Sequence, residues 1–304
     1  AALRALLQSE DGMAQVLLDP LLAPQAMALN LPAGRQVLEA MAQALQRLRR
    51  DRGGVLKVAV LDARGGQLLD HLDHAGLQLT LFDNSAGLLR AAAERCPGVT
   101  TQVLLDELLP AGHWAGYDLV ISFAALHSHT RPGDCLSLAR TLLKPDGQLL
   151  LVDLLRDSPL GLVSAALLDD RAPLLADAGE IARSLGQGGF SRVQRLWGNP
   201  AMLLVSATAP AAGLAADDLQ HWLQQHLPQA MRPEHLWWLP RLTLSSNAKI
   251  DRKSLQASLS QALLRQQPAP CDEAQLSPSL QPLADCWEAV LGRPVRSLQG
   301  SFFS

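Results

Sequence analysis

The feature that most constrains this chain is a rhythm. Five short apolar runs, Lys57 to Leu61, Gln78 to Phe82, Val99 to Leu104, Leu119 to Phe123 and Gln148 to Val152, are each separated from the next by a helical stretch or loop. Runs that are apolar on both faces belong in a sheet covered by helices on both sides, and strands joined through helices pair in parallel. The rhythm then breaks. Residues 188–207, GGFSRVQRLWGNPAMLLVSA, read as two strands joined by a turn at Gly198, Asn199 and Pro200, so a hairpin ends an otherwise parallel sheet. Ahead of the sheet, from Gln25 to Arg50, Val37, Leu38, Met41, Leu45 and Leu48 recur at three- and four-residue intervals and predict one amphipathic packing helix.

Composition narrows the function classes. A chain of 304 residues, 48% of them hydrophobic, can bury the cores of two modest domains. Its formal charge of −3 is spread without a basic stripe, which argues against a nucleic-acid partner. No apolar run reaches the roughly 18 residues that a membrane span needs, and AALRALLQSEDG lacks the apolar region of a signal peptide, so no membrane partner and a cytoplasmic location are expected. Cys96, Cys135, Cys271 and Cys286 lack zinc-site spacing and are expected to be reduced, largely buried thiols, with no metal site. The missing initial methionine and the ending GSFFS suggest a piece of a longer protein.

Beyond Ala209 the character changes. A small-residue linker leads into a helix beginning near Ala216 to Asp218 and stopped by Pro228 and Pro233, and QQPAPCDEAQLSP reads as a second linker. Between them stands LTLSSNAKIDRKSL, residues 242–255, which resembles the closing motif of adenylation domains in non-ribosomal peptide synthetases. HLPQAMRP upstream resembles the leucine-proline-x-tyrosine-methionine-x-proline pattern of the same subdomain, and LADCWEAVLGRPVRSLQGSFFS downstream resembles the first helix and loop of a peptidyl carrier domain. The resemblance implies that Lys249 contacts the acyl-adenylate, where a cation meets the charge on the α-phosphate of ATP. Ala248 departs from the usual glycine, and the carrier-like stretch stops before the serine that would bear phosphopantetheine.

Residues 1–207 then occupy an insertion within an adenylation domain, and they resemble a class I methyltransferase. The likeness rests on VLDARGG, LTLFDNS, YDLVISFAALHSH and LARTLLKPDGQLLLVD. It implies a seven-stranded, mostly parallel α/β sheet with a terminal antiparallel hairpin, and an S-adenosylmethionine site made by Asp62, Gly65, Gly66 and Asp83, the last accepting from the ribose hydroxyls. The boundaries implied are a helical extension at 1–50, the methyltransferase-like domain at 51–207, the small α+β adenylation piece at 208–264, a linker at 265–275 and the start of the helical carrier domain at 276–304.

Arg64 stands at the first glycine position of VLDARGG. A side chain there would crowd the methionine end of the cofactor and place a positive charge near its sulfonium, and both effects oppose binding. Siderophore synthetases of the pyochelin and yersiniabactin type carry such an insert in association with epimerisation. The resemblance therefore implies a cofactor-free epimerase that acts on a cysteinyl or thiazolinyl thioester held by a phosphopantetheinyl carrier. ATP serves the parent adenylation domain, and the carrier and the rest of that domain are the partners. Removing a Cα proton beside a thioester needs a positioned base. His127 and His129, which follow the fourth strand, are the expected pair, because imidazole titrates near neutral pH and their spacing puts both on one side of an extended segment. Asp62, Asp83 and Asp153 end strands on the same crevice and could orient a group or share a proton. Tyr117 is expected to pack at the lower end of the fourth strand, and His71, His74 and His113 to lie at the surface or in loops. A methyltransferase that uses S-adenosylmethionine and a catalytically silent spacer are the alternatives.

Overall fold

The computed structural model describes residues 23–104, 108–124, 126, 132–163, 175–211, 213, 215–245, 247 and 249–266. Contacts divide the chain into two units, Ala1–Arg241 and Leu242–Ser304.

The first unit opens with α1 (Pro24–Asn30) and α2 (Pro32–Arg52). The single helix expected from the apolar spacing is two, because Pro32 pushes Leu31 out of the helical region to φ −68°, ψ 153°. The two helices meet closely: a Cβ on Gly34 would come within 2.0 Å of the Ala28 carbonyl oxygen. Val37, Met41, Leu45 and Leu48 form the buried stripe of α2, and Leu38 packs against it half-buried.

The remaining elements of this unit are β1 (Leu56–Leu61), β2 (Leu77–Asp83), α3 (Ala86–Arg95), β3 (Thr100–Val103), β4 (Leu109–Pro110), β5 (Tyr117–Phe123), α4 (Pro132–Leu142), β6 (Leu143–Leu154), α5 (Pro159–Val163), α6 (Ala178–Gln187), β7 (Ser191–Gly198), β8 (Met202–Thr208), α7 (Ala216–His226) and β9 (Trp237–Trp238). Seven strands form one sheet in the order β3-β2-β1-β5-β6-β8-β7. The five from β3 to β6 are parallel, and β8 and β7 are antiparallel to their neighbours. Alternate residues of each strand feed two cores. Val58, Val60, Leu81, Ile121 and Val152 face α1, α2 and α3, whereas Ala59, Val120, Leu151 and Val205 face α4 and α6. Burial on both faces explains why the parallel strands read as continuous apolar runs.

At the amino-terminal end of the parallel strands Asp118 ties three segments together. It accepts from the Lys57 N–H at 2.9 Å, from Lys144 Nζ at 2.8 Å and from Arg52 Nη1 at 3.3 Å. Burial raises its pKa, but these hydrogen bonds and the two cations outweigh it and hold the carboxyl below its ordinary range. The edge strand β7 is largely exposed, and register shifts and a left-handed Arg192, φ +49°, interrupt its ladder. Bulges and arginines on an edge discourage pairing with another chain. Tyr117, buried at the start of β5, contacts His113 Nδ1 through its hydroxyl at 2.7 Å.

The segment after β8 stays with this unit as far as Arg241, and β9 pairs antiparallel with β4, Leu109 opposite Trp238. In the second unit Leu244 and Ile250 form an antiparallel bridge, and Asp251 caps α8 (Arg252–Gln266) by accepting from the Ser254 N–H at 3.1 Å. The linker expected at 265–275 begins within α8, which runs to Gln266, and its remainder and the carrier-like stretch lie outside the described residues.

Candidate functional site at the carboxyl ends of the strands

From β1 the chain builds outward to β2 and β3, and from β5 it builds the other way to β6. The crevice beyond the carboxyl ends of β1 and β5 is therefore the topological switch point, where open α/β sheets bind ligands. Backbone strain gathers there. Asp62 (φ +48°) and Arg64 (φ +50°) follow β1, and Ala124 (φ +51°) follows β5. Non-glycine residues in this conformation persist only where surrounding bonds over-determine them.

Three anchors supply those bonds. The Ala63 and Ala124 N–H groups donate to the carbonyls of Phe82 and Val152. The second anchor is Asp83, which is 2% exposed and accepts from the Arg64 N–H through Oδ2 and from the Ser85 N–H through Oδ1, both at 2.9 Å. Burial raises its pKa above the usual carboxylate value, with the Arg64 charge opposing. The third anchor is Gln25 of α1. Its Nε2 donates to the carbonyls of Asp62 at 3.1 Å and Phe123 at 3.2 Å, spanning the ends of β1 and β5.

Of the residues expected to hold the cofactor, Asp62, Gly65 and Gly66 follow β1 and Asp83 ends β2, with the Arg64 N–H joining the two segments. Gly66 turns the loop at φ +77°, and a Cβ on it would lie 2.9 Å from that of Ala92. The Gly65 carbonyl accepts from Arg95 Nε at 3.1 Å. Lys249 belongs to the second unit, where its carbonyl accepts from the Ser245 N–H at 2.7 Å and it is exposed. His127 and His129 lie outside the described residues. His71 is exposed, His74 lies in the loop before β2 and His113 ends a short 3-10 turn, the latter two half-buried and bonded. His74 reaches the Leu69 carbonyl at 2.8 Å and Cys96 Sγ at 3.3 Å, and His113 reaches Gln102 as well as Tyr117. Burial lowers the pKa of His113.

Asp153, next to last in β6, is 3% exposed and is paired with no cation among the described residues. Its Oδ1 accepts from the Leu154 N–H at 2.9 Å. Burial, opposed by that bond, pushes its pKa up to about 7. Such a carboxyl is partly ionised at neutral pH and can both take and return a proton.

The sequence reading missed Gln25. A signal was present, since Gln25, Ala28 and Leu29 stand at i, i+3 and i+4 on the buried stripe of α1. A glutamine on such a stripe requires polar partners.

Sheet order, terminal hairpin and crevice define a class I methyltransferase-like domain. The family model described as a methyltransferase domain matches residues 61–151. The CurJ carbon methyltransferase superposes with a TM-score of 0.54 at 18% identity, covering 69% of this chain and 67% of its own. The DszA carbon methyltransferase gives 0.55 at 19% identity, covering 66% and 61%. Over 309 aligned residues the chain is 50% identical to pyochelin synthetase PchE of Pseudomonas aeruginosa (strain UCBPP-PA14), an alignment that takes in 100% of this chain and 21% of that protein. The chain is similar along its whole length to part of a pyochelin synthetase, spanning 21% of that protein, and contains a methyltransferase-like domain.

The fold is one that holds S-adenosylmethionine, but the residues at the switch point fit it poorly. The carboxylate that would receive the ribose is buried and committed to two loop N–H groups, an arginine stands in left-handed conformation at the first glycine position, and Gln25 bridges the strand ends.

Proposed function

We propose that this domain epimerises the Cα of a cysteinyl-type thioester tethered to a phosphopantetheinyl carrier, without S-adenosylmethionine. The observation that carries the reading is Asp153, a buried carboxyl next to last in β6 with its pKa pushed up to about 7, at the same end of the sheet as Asp83, the expected nucleoside acceptor, which is already engaged. Asp153 takes the Cα proton, the electron pair of the broken C–H bond moves into the thioester carbonyl, and a second acid returns a proton to the opposite face as the enolate collapses. His127 or His129 serves as that second group, since both precede α4 in the chain segment that follows β5. Lys249 contacts the acyl-adenylate in the parent ATP-dependent adenylation reaction.

The test loads the carrier with the L-configured intermediate in deuterated water and follows Cα exchange and mass, with and without S-adenosylmethionine. Exchange without the cofactor is expected. A methyltransferase is the second reading, supported by the family match and the two carbon methyltransferase neighbours, and a gain of one methyl group would select it. Neither product would leave a silent spacer.

A further inference from the structure

Gln25 carries an unanswered group. The residue is 6% exposed, Nε2 is committed to the carbonyls of Asp62 and Phe123, and Oε1 is buried with no hydrogen-bond partner among the described residues. The amide cannot be turned over to relieve this, because both groups opposite the nitrogen are acceptors and would then face an oxygen. A buried unpaired acceptor costs the desolvation of that atom, and in native proteins such an atom marks a site where a water or ligand completes the bonding. This one lies at the switch point, between two strand ends that are followed by the left-handed residues Asp62 and Ala124.

We infer that Gln25 Oε1 accepts a hydrogen bond from the α-nitrogen of the tethered substrate, so that the crevice selects a thioester whose α-nitrogen still bears hydrogen. This rests on the epimerase reading and names its substrate class. An α-ammonium group and an α-amide each present an N–H donor. A thiazoline nitrogen bears no hydrogen and offers only a lone pair, which would leave one acceptor facing another in a buried place. Sites built to bond a donor reject analogues lacking it far more strongly than apolar pockets reject a methylene. Proton exchange at Cα therefore precedes ring closure.

The experiment uses the full synthetase chain with its carrier loaded in turn with the L-aminoacyl thioester, its N-acyl form and the corresponding thiazolinyl thioester. Cα deuterium exchange is measured without S-adenosylmethionine. The aminoacyl form tests the ammonium donor and the N-acyl form the amide donor. At least one should exchange about tenfold or more faster than the thiazolinyl form, a ratio equal to one neutral hydrogen bond. Gln25→Met, which also removes the two Nε2 bonds, should slow the N–H-bearing substrates about tenfold more than the thiazolinyl form and so abolish that preference. A purely structural role would slow all three alike and would overturn the inference. Equal exchange of all three by the unaltered chain would overturn it too, while leaving the epimerase reading intact. No exchange with any substrate would defeat both.

Discussion

The backbone N–H of Arg64 donates to Asp83 Oδ2 at 2.9 Å, which fastens the loop after β1 to the end of β2. The carboxylate expected to receive a ribose is thereby a structural clasp for the residue that displaces the first glycine.

Replacing Asp83 with asparagine keeps one acceptor oxygen but sets an NH2 group against a backbone N–H. The loss should cost about 1–3 kcal/mol. Hydrogen exchange should show faster amide exchange at Arg64 and Ser85, with β1 core amides such as Val60 unchanged. Unchanged protection at both loop sites would show that the clasp does not hold the loop.

Gly66→Ala tests the turn itself. Alanine at φ +77° costs about 1–2 kcal/mol. Its Cβ would also press on Ala92 at 2.9 Å, against the backbone of α3 rather than a movable side-chain tip. Thermal unfolding should show a lower Tm, and a variant as stable as the parent would contradict the loop geometry.

Asp153 has a folded-state pKa raised to about 7 from an ordinary 3.8. A raised carboxyl favours folding below its unfolded value and opposes it as the group ionises, so that contribution is lost as pH rises from about 4 through 7. Asp153→Asn cannot ionise. Relative to the parent it should gain stability across that window, by an amount on the order of a few kcal/mol. Denaturant unfolding at pH 4 and pH 8 checks this, and on the epimerase reading the same variant loses inversion of Cα. A stability difference that does not change with pH would refute the buried, unpaired carboxyl.

Asp118 should behave in the opposite sense. Its folded pKa is lowered, so its contribution is present above the unfolded pKa near 3.8 and disappears as pH falls through the folded value. Asp118→Asn should cost about 1–3 kcal/mol at pH 7, because it weakens bonds from Lys57, Lys144 and Arg52 and leaves two cations facing each other. The gap between parent and variant should narrow near pH 2. A constant gap in urea titrations at the two pH values would rule out the charge as its source.

The strands were legible because their signal is local. The runs at 57–61, 78–82 and 119–123 fall inside β1, β2 and β5, and the turn at Gly198, Asn199 and Pro200 lies at the turn between β7 and β8. The break at Leu31–Pro32 was local as well, but the apolar spacing ran across it and hid it. The glycine loop was legible by position, and Arg64 could be recognised as an intruder. Its consequence could not, since the sequence reading weighed the guanidinium while the structure shows the Arg64 backbone claiming Asp83, 19 residues further on.

Amino-acid order alone determined the layered α/β architecture, the terminal hairpin and the set of carboxylates at the strand ends, because side-chain periodicity and turn chemistry act over a few residues. Tertiary structure alone decided what those groups do. Gln25 meets the carbonyl of Phe123 from 98 positions away, and Asp153 acquires its pKa from apolar layers assembled from the whole sheet. Hydrogen-bond partners and burial are properties of packed neighbours, and the neighbours here are distant in sequence.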